Sequence, residues 1–406
     1  MKISRPYPAL TVTPKAEKSL RQGHPWVYAE EITTDVCGLP NGCAADVFSQ
    51  KGAYLGTGLF SERSKIRIRL LTRNANDRID EAFFFRRAEY AVRYRRTVMR
   101  GGDFDCCRLV FGEADGLPGL TVDRFGDVLV SQVLSYGMDM RRDIIYRALL
   151  AALNNAGVSV RGIYERDDAD IRTLEGLDKR KGWHGSAPSP EPLTARIEEN
   201  GILYDVDFVD GQKTGFFLDQ KYNRRAVARL AGGMNVLDCF THTGSFALNA
   251  AAAGAAHVTA VDISDTALAR ARANAALNGL QARMDFVRAD VFDLLPELQK
   301  GGKYDFVILD PPAFTKNRRT AAHALAGYRQ INYRAMKLLP RGGYLATCSC
   351  SHFMPDPLFR RAVSEAAAEA DVSLRQVFAG TQGPDHPILW NVPQTDYLKF
   401  YIFQIV

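Results

Sequence analysis

The spacing of apolar positions divides the chain into three stretches, and the first runs to about Arg73. Short apolar runs separated by glycine turns predict strands there. In "KIRIRLL" basic and apolar residues alternate with the period of a strand, and the basic ones are Lys65, Arg67 and Arg69. Residues 1–73 therefore predict a small all-β barrel with a basic strip. The alternative is an edge strand that its charges protect from further pairing.

The second stretch, residues 74–188, mixes two helical patterns with several strands. "IDEAFFFRRAEYAVRYRRTVM" and "RRDIIYRALLAALNNAG" repeat their apolar residues with helical spacing, and the first is rich in arginine. Between them, "CRLVFGEADGLPGLTVDRFGDVLVSQVL" predicts strands joined by Gly, Pro and Asp turns. We therefore expect an α+β middle domain, followed by a linker at "KGWHGSAPSPEPLT".

The third stretch, residues 189–406, alternates strands with helices. Its strand-like segments are "NVLDCF", "HVTAVDI", "MDFVRAD", "YDFVILD" and "GGYLATCS", and "YLKFYIFQIV" predicts a last strand. A strand followed by a helix, repeated several times, indicates βαβ units. The pattern predicts an α/β Rossmann-like domain with a mostly parallel sheet.

Composition narrows the class of protein. The 406 residues are 46% hydrophobic and 24% charged, which is typical of soluble multidomain proteins, and no run is long enough to span a membrane. The first residues lack the apolar core of a signal peptide, so a cytoplasmic location is expected. Seven scattered cysteines without ligand spacing indicate neither a disulfide framework nor a metal site. The net charge of +6 permits a polyanionic partner.

Acidic residues close the first three strands of the Rossmann-like domain, where ligands bind in such sheets. Asp238 ends the first, Asp262 the second and Asp290 the third. The turn after Asp238 offers one glycine, Gly244, instead of the GxGxxG of a dinucleotide site, so an adenosine ligand without phosphates fits better. Asp262 could instead cap the next helix, but Ser264 and the residue after it already supply that cap.

The fourth strand ends in "DFVILDPPAF". Two prolines stiffen this exit and would hold the Asp310 carboxylate and the Phe314 ring at the mouth of the site. A carboxylate and an aromatic ring held in this way can bind the edge and the face of a planar base. The alternative is a rigid loop with a core phenylalanine.

"DPPAF", "DCFTHTGSF" and "TCSCS" together resemble class I S-adenosylmethionine methyltransferases that act on RNA. Nearly the whole chain is similar to the bacterial family that makes 5-methylcytosine in 23S ribosomal RNA. "LRQGHPWVYAEEI" and "GAYLGTGLFSERSKIRIRLL" resemble its N-terminal PUA domain, a small RNA-binding barrel, and "RLVFGEADGLPGLTVDRFGD" resembles its middle domain. "GQKTGFFLDQKYNR" resembles the hairpin that precedes its catalytic sheet, and "GPDHPI" with "DYLKF" its C-terminal end.

The resemblance implies S-adenosylmethionine as the cofactor. It places residues of the first three strand ends around the methionine, ribose and adenine parts, and a hairpin-side segment that closes the pocket. These residues are Asp238, Phe240, Thr243, Gly244, Asp262, Ile263, Asp290 and Asp310, with Lys213, Thr214, Gly215 and Phe217 on the hairpin side. The chain departs from related cytosine-5 enzymes at Ala313, where those often carry a cysteine after the prolines.

Cytosine C5 becomes a sufficient nucleophile only after a thiolate has added to C6, so that chemistry needs a cysteine beside the methyl donor. The candidates are Cys348 and Cys350, which would face the same way if the strand continued through both. The family resemblance favours Cys350, while Cys348 stands where related methyltransferases have the cysteine of a "TC" pair. We also expect this fifth strand to lie beside the fourth, next to Asp310.

Three functions remain open at this point. The favoured one is an RNA methyltransferase acting on cytosine C5 of 23S ribosomal RNA; the others are an exocyclic-amine methyltransferase that needs no cysteine and a non-catalytic RNA-binding assembly factor. No membrane partner is expected, and a homodimer is one candidate assembly. The expected substrate contacts are Pro311, Pro312 and Phe314 at the base, and Lys65, Arg67 and Arg69, with the arginine-rich helix, on the RNA backbone.

Overall fold

The computed structural model of the chain describes residues 5–185, 190–299, 301, 303–315 and 321–406. The chain forms two compact units. The first comprises Met1–Ile197, Asp205–Leu218 and Pro384–Thr395, and the second comprises Glu198–Tyr204, Asp219–Gly383 and Asp396–Val406. The domain boundaries expected at residues 73 and 188 stay a prediction.

In the first unit, an N-terminal sheet of five strands among the described residues has the order β1-β3-β4-β5-β2. The elements are β1 (Ala9–Val12), α1 (Pro14–Arg21), β2 (Trp26–Tyr28), β3 (Ala44–Ser49), β4 (Tyr54–Phe60) and β5 (Ile66–Thr72). The expected strands are present, and one helix that the pattern did not predict, α1, begins after Thr13, whose side chain accepts a hydrogen bond from the Ala16 N–H. β5 pairs with both β4 and β2, so the basic strip does not lie on an edge strand.

The middle part of the first unit is the α+β arrangement expected from the sequence. Its elements are α2 (Glu81–Val98), β6 (Cys106–Phe111), β7 (Leu120–Phe125), β8 (Val128–Val133), α3 (Tyr136–Asp139), α4 (Arg142–Asn155), β9 (Gly162–Asp167) and β10 (Arg180–Trp183). The described strands form a sheet of order β10-β9-β8-β7-β6, and α2 packs against α4. The predicted linker begins within β10, and its residues 186–189 lie outside the described residues.

A β-hairpin precedes the large sheet, but at a different place from the one expected. It consists of β11 (Ala195–Glu199) and β12 (Ile202–Val206), joined by Asn200 and Gly201. Both turn residues have positive φ angles, 56° and 79°, which is the backbone that an Asn-Gly pair adopts readily. The assignment of "GQKTGFFLDQKYNR" to the hairpin is therefore wrong, since this segment follows β12 and runs into α5 (Lys221–Ala228).

The second unit is built on a sheet of seven described strands in the order β15-β14-β13-β16-β17-β19-β18. Its elements are β13 (Asn235–Cys239), α6 (Ser245–Ala252), β14 (His257–Asp262), α7 (Asp265–Leu277), β15 (Met284–Arg288), α8 (Val291–Leu298), β16 (Phe306–Leu309), α9 (Ala321–Leu338), β17 (Tyr344–Ser349), α10 (Asp356–Ala370), β18 (Leu374–Gly380) and β19 (Lys399–Ile405). β13 to β17 are parallel, and β19 is antiparallel to its two neighbours. This confirms the mostly parallel sheet.

The burial of these strands explains why the sequence pattern predicts them. All residues of β16 are fully buried, and residues of α8, α9 and α10 pack with β13, β16 and β17 in one apolar cluster. A strand covered on both faces needs a continuous apolar run rather than an alternating one. β18 is mostly exposed, so no apolar pattern reveals it. Among the described residues, no helix has the length and apolar character needed to span a membrane.

Candidate active site

Parallel pairing brings the polar ends of four strands to one edge of the sheet. Asp238 on β13 lies opposite Ala260 on β14 and Ile308 on β16. β16 in turn pairs with β17, as expected, through Leu309 and Thr347. The sheet reverses its strand order between β13 and β16, and this is the place where ligands bind in open α/β sheets.

Asp238 is a fully buried carboxylate whose two oxygens have different environments. Its Oδ2 accepts hydrogen bonds from the Thr241 hydroxyl at 2.5 Å and the Ala247 N–H at 3.0 Å. Its Oδ1 is buried and has no hydrogen-bond partner among the described residues. Burial raises the pKa of Asp238 to about 7, and the negative charge of Asp310 adds to this shift. A buried, unpaired carboxylate oxygen is the complement of a cationic ligand group.

The turn after β13 holds three residues in the left-handed region of backbone space. Phe240, His242 and Gly244 have φ angles of 64°, 50° and 82°. A Cβ on Gly244 would also lie 3.1 Å from the Cβ of Ala271, so this position needs glycine. Non-glycine residues in this region cluster at binding sites, where surrounding contacts maintain the strain.

His242 connects this turn to the second strand, a role that the sequence pattern missed. Its backbone N–H donates to Oδ2 of Asp262 at 2.9 Å. Burial lowers the pKa of its imidazole side chain to about 4. The Ser264 N–H donates to Oδ1 of Asp262, and Ser264 caps α7 by accepting from the Ala267 N–H. The prediction that Ser264 supplies the helix cap is confirmed, which leaves the Asp262 carboxylate at the strand end.

The next two predicted cofactor residues are exposed. Ile263 is 64% exposed, which is unusual for a large apolar side chain at the end of a strand. Asp290 caps α8 through a hydrogen bond from the Phe292 N–H at 2.8 Å. The capping role accounts for Asp290 without a ligand, so its contact with adenine stays a prediction.

Asp310 and Cys348 form a hydrogen-bonded pair at the ends of β16 and β17. The Cys348 Sγ–H donates to Oδ1 of Asp310 at 2.8 Å. Burial and the neighbouring carboxylate raise the pKa of the Cys348 thiol well above its ordinary value, and burial also raises the pKa of Asp310. Cys348 therefore acts as a neutral donor that fixes the Asp310 carboxylate.

Gln220 is a second support of this pair that the sequence pattern missed. Its Nε2 lies 3.4 Å from Oδ1 of Asp310 and 3.5 Å from Sγ of Cys348. Asn223 donates to the Gln220 Oε1 at 2.5 Å, which turns the amide nitrogen toward the site. The segment "LDQKYN" contains the signal only as two amides three residues apart, a spacing that places both on one face of a helical turn.

Cys350 has a different environment from Cys348. β17 ends at Ser349, so the strand does not continue through both cysteines as their common orientation required. Cys350 is partly exposed, whereas Cys348 is fully buried. Lys399 on β19 lies opposite Ser349 and donates from Nζ to the backbone oxygen of Ser351 at 2.7 Å.

The residues of the Asp-Pro-Pro exit differ in exposure. Pro311 is buried, and Pro312 and Ala313 are exposed. Phe314 is half-buried, and its ring lies 4.7 Å from that of Tyr328 and 5.8 Å from that of Phe292. The ring thus packs on the core cluster with part of its surface accessible, and its contact with a base stays a prediction.

The hairpin-side residues of the predicted pocket belong to the first unit. Thr214 is buried and donates from Oγ1 to Asp123 at 2.6 Å, and the Lys213 ammonium lies 4.7 Å from the centre of the Phe217 ring. Gly215 has a φ of 123°, and a Cβ there would lie 2.8 Å from a methyl carbon of Val206. These contacts account for the local fold, and the role of residues 213–217 in cofactor binding stays a prediction.

The basic residues of the first unit are not equivalent. Lys65 is exposed and Arg67 is partly exposed. Arg69 forms a 2.9 Å ion pair with Glu175, in which the side chains are only 12% and 3% exposed. On α2, exposed Arg93 and Arg96 line a groove of about 520 Å³ beside α4.

The described residues contain no group of three or more His, Cys, Asp or Glu side chains placed to hold a metal ion.

Comparisons with known proteins agree with this geometry. Residues 180–392 match the family of S-adenosylmethionine-dependent methyltransferases, and residues 10–73 match the PUA-like domain. Ribosomal RNA large subunit methyltransferase I of Shewanella denitrificans is 42% identical over 98% of this chain and 99% of its own length. The chain belongs to this methyltransferase family. The protein of the same name from Aeromonas salmonicida is 40% identical over 94% of this chain and 96% of its own length.

Solved structures share the fold of this family member. One from Streptococcus mutans, described as a candidate S-adenosylmethionine-dependent methyltransferase, has a TM-score of 0.81 at 23% identity and covers 98% of this chain and 100% of its own. Another, described as a candidate methyltransferase complexed with S-adenosylhomocysteine (SAH), has a TM-score of 0.83 at 22% identity, with the same coverage. The predictions of a PUA-like domain, of a Rossmann-like methyltransferase domain and of S-adenosylmethionine as the cofactor are confirmed.

The residues at the sheet edge fit this cofactor. The unpaired Oδ1 of Asp238 and its raised pKa suit a ligand that carries positive charge, as the sulfonium and ammonium groups do. The Asp262 carboxylate lies at the end of β14 with the exposed Ile263 beside it, and the contacts of these two residues with the ribose and the adenine stay predictions.

The affinity for S-adenosylmethionine should depend on pH through Asp238. The bound cation favours the ionised carboxylate, so a proton must leave below pH 7, and the affinity should fall there by up to about tenfold per pH unit. Calorimetric titrations between pH 5.5 and 8.5 measure this slope. Asp238→Asn should bind weakly and lose the slope, whereas Asp265→Asn, an exposed carboxylate on α7, should keep it. A wild-type affinity that is flat across pH 7 would contradict the role given to Asp238.

Asp262→Ala should weaken cofactor binding by at least about tenfold, because each hydrogen bond from a ribose hydroxyl to a carboxylate contributes roughly 1.5–3 kcal/mol. Asp262 also accepts a hydrogen bond from the backbone N–H of His242, and Asp262→Asn keeps an acceptor for that bond. This variant therefore separates the ribose contact from the support of the turn after β13. Calorimetry with S-adenosylmethionine gives the affinity, and thermal unfolding shows whether the variants are folded. NADH should not bind. An unchanged affinity in folded Asp262→Ala would place the ribose elsewhere.

Proposed function

We propose that this protein transfers a methyl group from S-adenosylmethionine to C5 of a cytosine in 23S ribosomal RNA, the large-subunit RNA. The names of its curated relatives support the large-subunit RNA as substrate. The observation that carries the choice of C5 is the partly exposed thiol of Cys350, which immediately follows β17. β17 is the neighbour of β16, the strand that Asp310 follows. An exocyclic amine needs no such thiol, whereas a C5 carbon does.

The proposed reaction begins when the Cys350 thiolate adds to C6 of the cytosine, which makes C5 an enamine-like nucleophile. S-adenosylmethionine supplies the methyl group and leaves as the neutral thioether. The C5 proton then passes to a base as the bond between C6 and Sγ breaks, which restores the aromatic ring and releases the Cys350 thiolate. The complete cycle returns Cys350 to its thiolate form without any change of oxidation state, so no external oxidant or reductant is needed.

The surroundings of the two cysteines support Cys350 as the nucleophile. Cys348 is fully buried, its pKa is raised, and its thiol proton is engaged by Asp310. Forming a thiolate at Cys348 would place two negative charges at a distance of about one hydrogen bond. Cys348 is thus better suited to orient Asp310 than to attack a base.

Asp310 is the group proposed to hold the cytosine. Its carboxylate is fixed by Cys348 and Gln220, so it enters the reaction without reorganising. A fixed carboxylate accepts a hydrogen bond from the exocyclic amine of cytosine, and a uracil carbonyl would repel it. Pro311, Pro312 and Phe314 would shape the entrance through which the base reaches this group.

The nucleophile can be identified with RNA that carries 5-fluorocytosine at the target position. Fluorine at C5 prevents the last proton loss, so the wild-type protein should form a covalent adduct after methyl transfer. Cys350→Ala should lose both methylation and adduct formation while it binds S-adenosylmethionine normally. Cys348→Ala should still form the adduct, at a reduced rate because Asp310 loses its donor. Denaturing gels and peptide mass spectrometry detect the adduct.

Three results would each contradict this assignment. An adduct on Cys348 would exchange the two roles. A double cysteine variant that methylates at nearly the wild-type rate would favour direct transfer to an exocyclic amine, positioned by Asp310 and Phe314 alone. A wild-type protein that binds RNA but not S-adenosylmethionine would support an assembly factor. Mapping of 5-methylcytosine in 23S ribosomal RNA from cells with and without the protein identifies the nucleotide.

Two basic surfaces of the first unit are proposed to hold the RNA backbone. One is formed by exposed Lys65 and partly exposed Arg67 beside β5, the other by Arg93 and Arg96 on α2. On the second surface the Arg93 guanidinium also lies 5.1 Å from the centre of the exposed Tyr90 ring, which adds an aromatic face for stacking. Arg69 is less suited to this role because Glu175 neutralises it.

Removing both charges of either surface should lower RNA affinity and its salt dependence. Each phosphate contact contributes about 0.7–0.9 to the slope of log affinity against log salt, so Lys65→Ala with Arg67→Ala should reduce the slope by about 1.5, and Arg93→Ala with Arg96→Ala by a similar amount. Filter binding at several salt concentrations measures this slope. The affinity for S-adenosylmethionine should not change. Arg361→Ala, an exposed arginine paired with Glu365 on α10, is the matched control. An unaltered slope would show that these arginines and the lysine are exposed to solvent without contacting the RNA phosphates.

A further inference from the structure

Lys399 is a buried lysine at the junction between the last strand and the candidate active site. It is the first residue of β19, and its antiparallel partner is Ser349, the last residue of β17. Only 7% of the residue is exposed. The side chain therefore ends beside the segment that follows β17 and carries Cys350.

The hydrogen bonds of Lys399 do not explain why this position needs a positive charge. Nζ donates to the backbone oxygens of Ser351 at 2.7 Å and Tyr397 at 2.8 Å, and both acceptors are neutral. An ammonium group has three donors, and burying it away from water is costly. Burial lowers the pKa of Lys399 to about 8, and Cys350 is the strongest of the groups whose negative charge opposes that shift.

Among the described residues, the other groups whose charge acts on the Lys399 ammonium are acidic. They are Asp356 at the start of α10, Asp396 before β19 and Cys348 on β17, and the negative charge of each favours the charged form of Lys399. On α9, the Tyr328 hydroxyl accepts a hydrogen bond at 2.9 Å from the hydroxyl of Ser349, the residue between the two cysteines. His352 follows two residues after Cys350 and is exposed. A thiolate at Cys350 would add a further negative charge beside these acidic groups, so it needs a cation that stabilises it.

We propose that Lys399 is a positioning residue whose ammonium group fixes the segment after β17 and stabilises the Cys350 thiolate. The inference rests on the proposed function, in which that thiolate attacks cytosine C6. The thiol proton leaves to solvent, which the partly exposed Cys350 can reach, and Lys399 keeps its own three protons. The ammonium acts through Cys350 and needs no contact with substrate or cofactor.

The test is the alkylation rate of Cys350 by iodoacetamide between pH 5 and 10, measured on the full-length protein without RNA. Peptide mass spectrometry assigns the modification to Cys350 among the seven cysteines. Only the thiolate reacts, so the midpoint of the rate profile reports the pKa of the thiol and the plateau reports its accessibility. Lys399→Met removes the charge and the donors, and Lys399→Gln removes the charge but keeps a donor for a backbone oxygen.

Both neutral variants should move the midpoint upward by at least one pH unit, which makes alkylation at pH 7 about tenfold slower, with the plateau unchanged. Lys399→Arg should keep the midpoint at or below that of the wild type, because arginine stays charged above pH 8. Lys337→Met, an exposed lysine on α9, should change nothing. Thermal unfolding identifies any variant that fails to fold, and the two neutral variants provide independent measurements.

A midpoint that stays at the wild-type value in folded Lys399→Met or Lys399→Gln would overturn the proposal. So would a lowered plateau with an unchanged midpoint, because that result describes a purely structural lysine. The 5-fluorocytosine experiment separates this failure from that of the proposed function. An adduct at Cys350 with unshifted midpoints rejects Lys399 alone, whereas the absence of any adduct at Cys350 rejects the nucleophile.

Discussion

The parallel register of β13, β14, β16 and β17 is the constraint on which the candidate active site depends. It places Asp238 opposite Ala260 and Ile308 and brings the polar strand ends to one edge of the sheet. The apolar cluster with α8, α9 and α10 stabilises this register, because a shift of one residue would turn buried side chains to the opposite face. The chemistry of the site is thus an outcome of core packing.

Electrostatics gives the site its second characteristic. Asp238 and Asp310 lie at neighbouring strand ends, and burial raises the pKa of both. Carboxylates placed in this way are costly in the ligand-free protein, and the raised pKa of Asp238 means that folding stability falls as the pH rises toward 7. A positively charged cofactor offsets that cost. In the proposed function, cofactor binding and the placement of the base therefore depend on the same buried charges.

Sequence patterns succeeded where local physics decides the structure. Continuous apolar runs marked the buried parallel strands, and Ser264 was correctly assigned as the cap of α7. The pattern failed for α1, whose signal at Thr13 and Pro14 is short, and for β18, whose side chains are mostly exposed. The resemblance places the hairpin at "GQKTGFFLDQKYNR", whereas the observed strands are joined by Asn200 and Gly201, a pair that is itself a strong turn signal.

The sequence by itself determined the order of the buried parallel strands and of the helices between them, the acidic strand ends, the two candidate cysteines and the family. Only the tertiary structure separated those cysteines, since the partner of Cys348 is Asp310, 38 residues away, and Lys399 reaches Ser351 across 48 residues. It also showed that the Asp238 carboxylate is buried and that one of its oxygens has no hydrogen-bond partner in the part of the chain that the structure describes. Local patterns report helices, strands and turns because those depend on neighbouring residues. The protonation and reactivity of a side chain depend on which distant groups the sheet register places beside it.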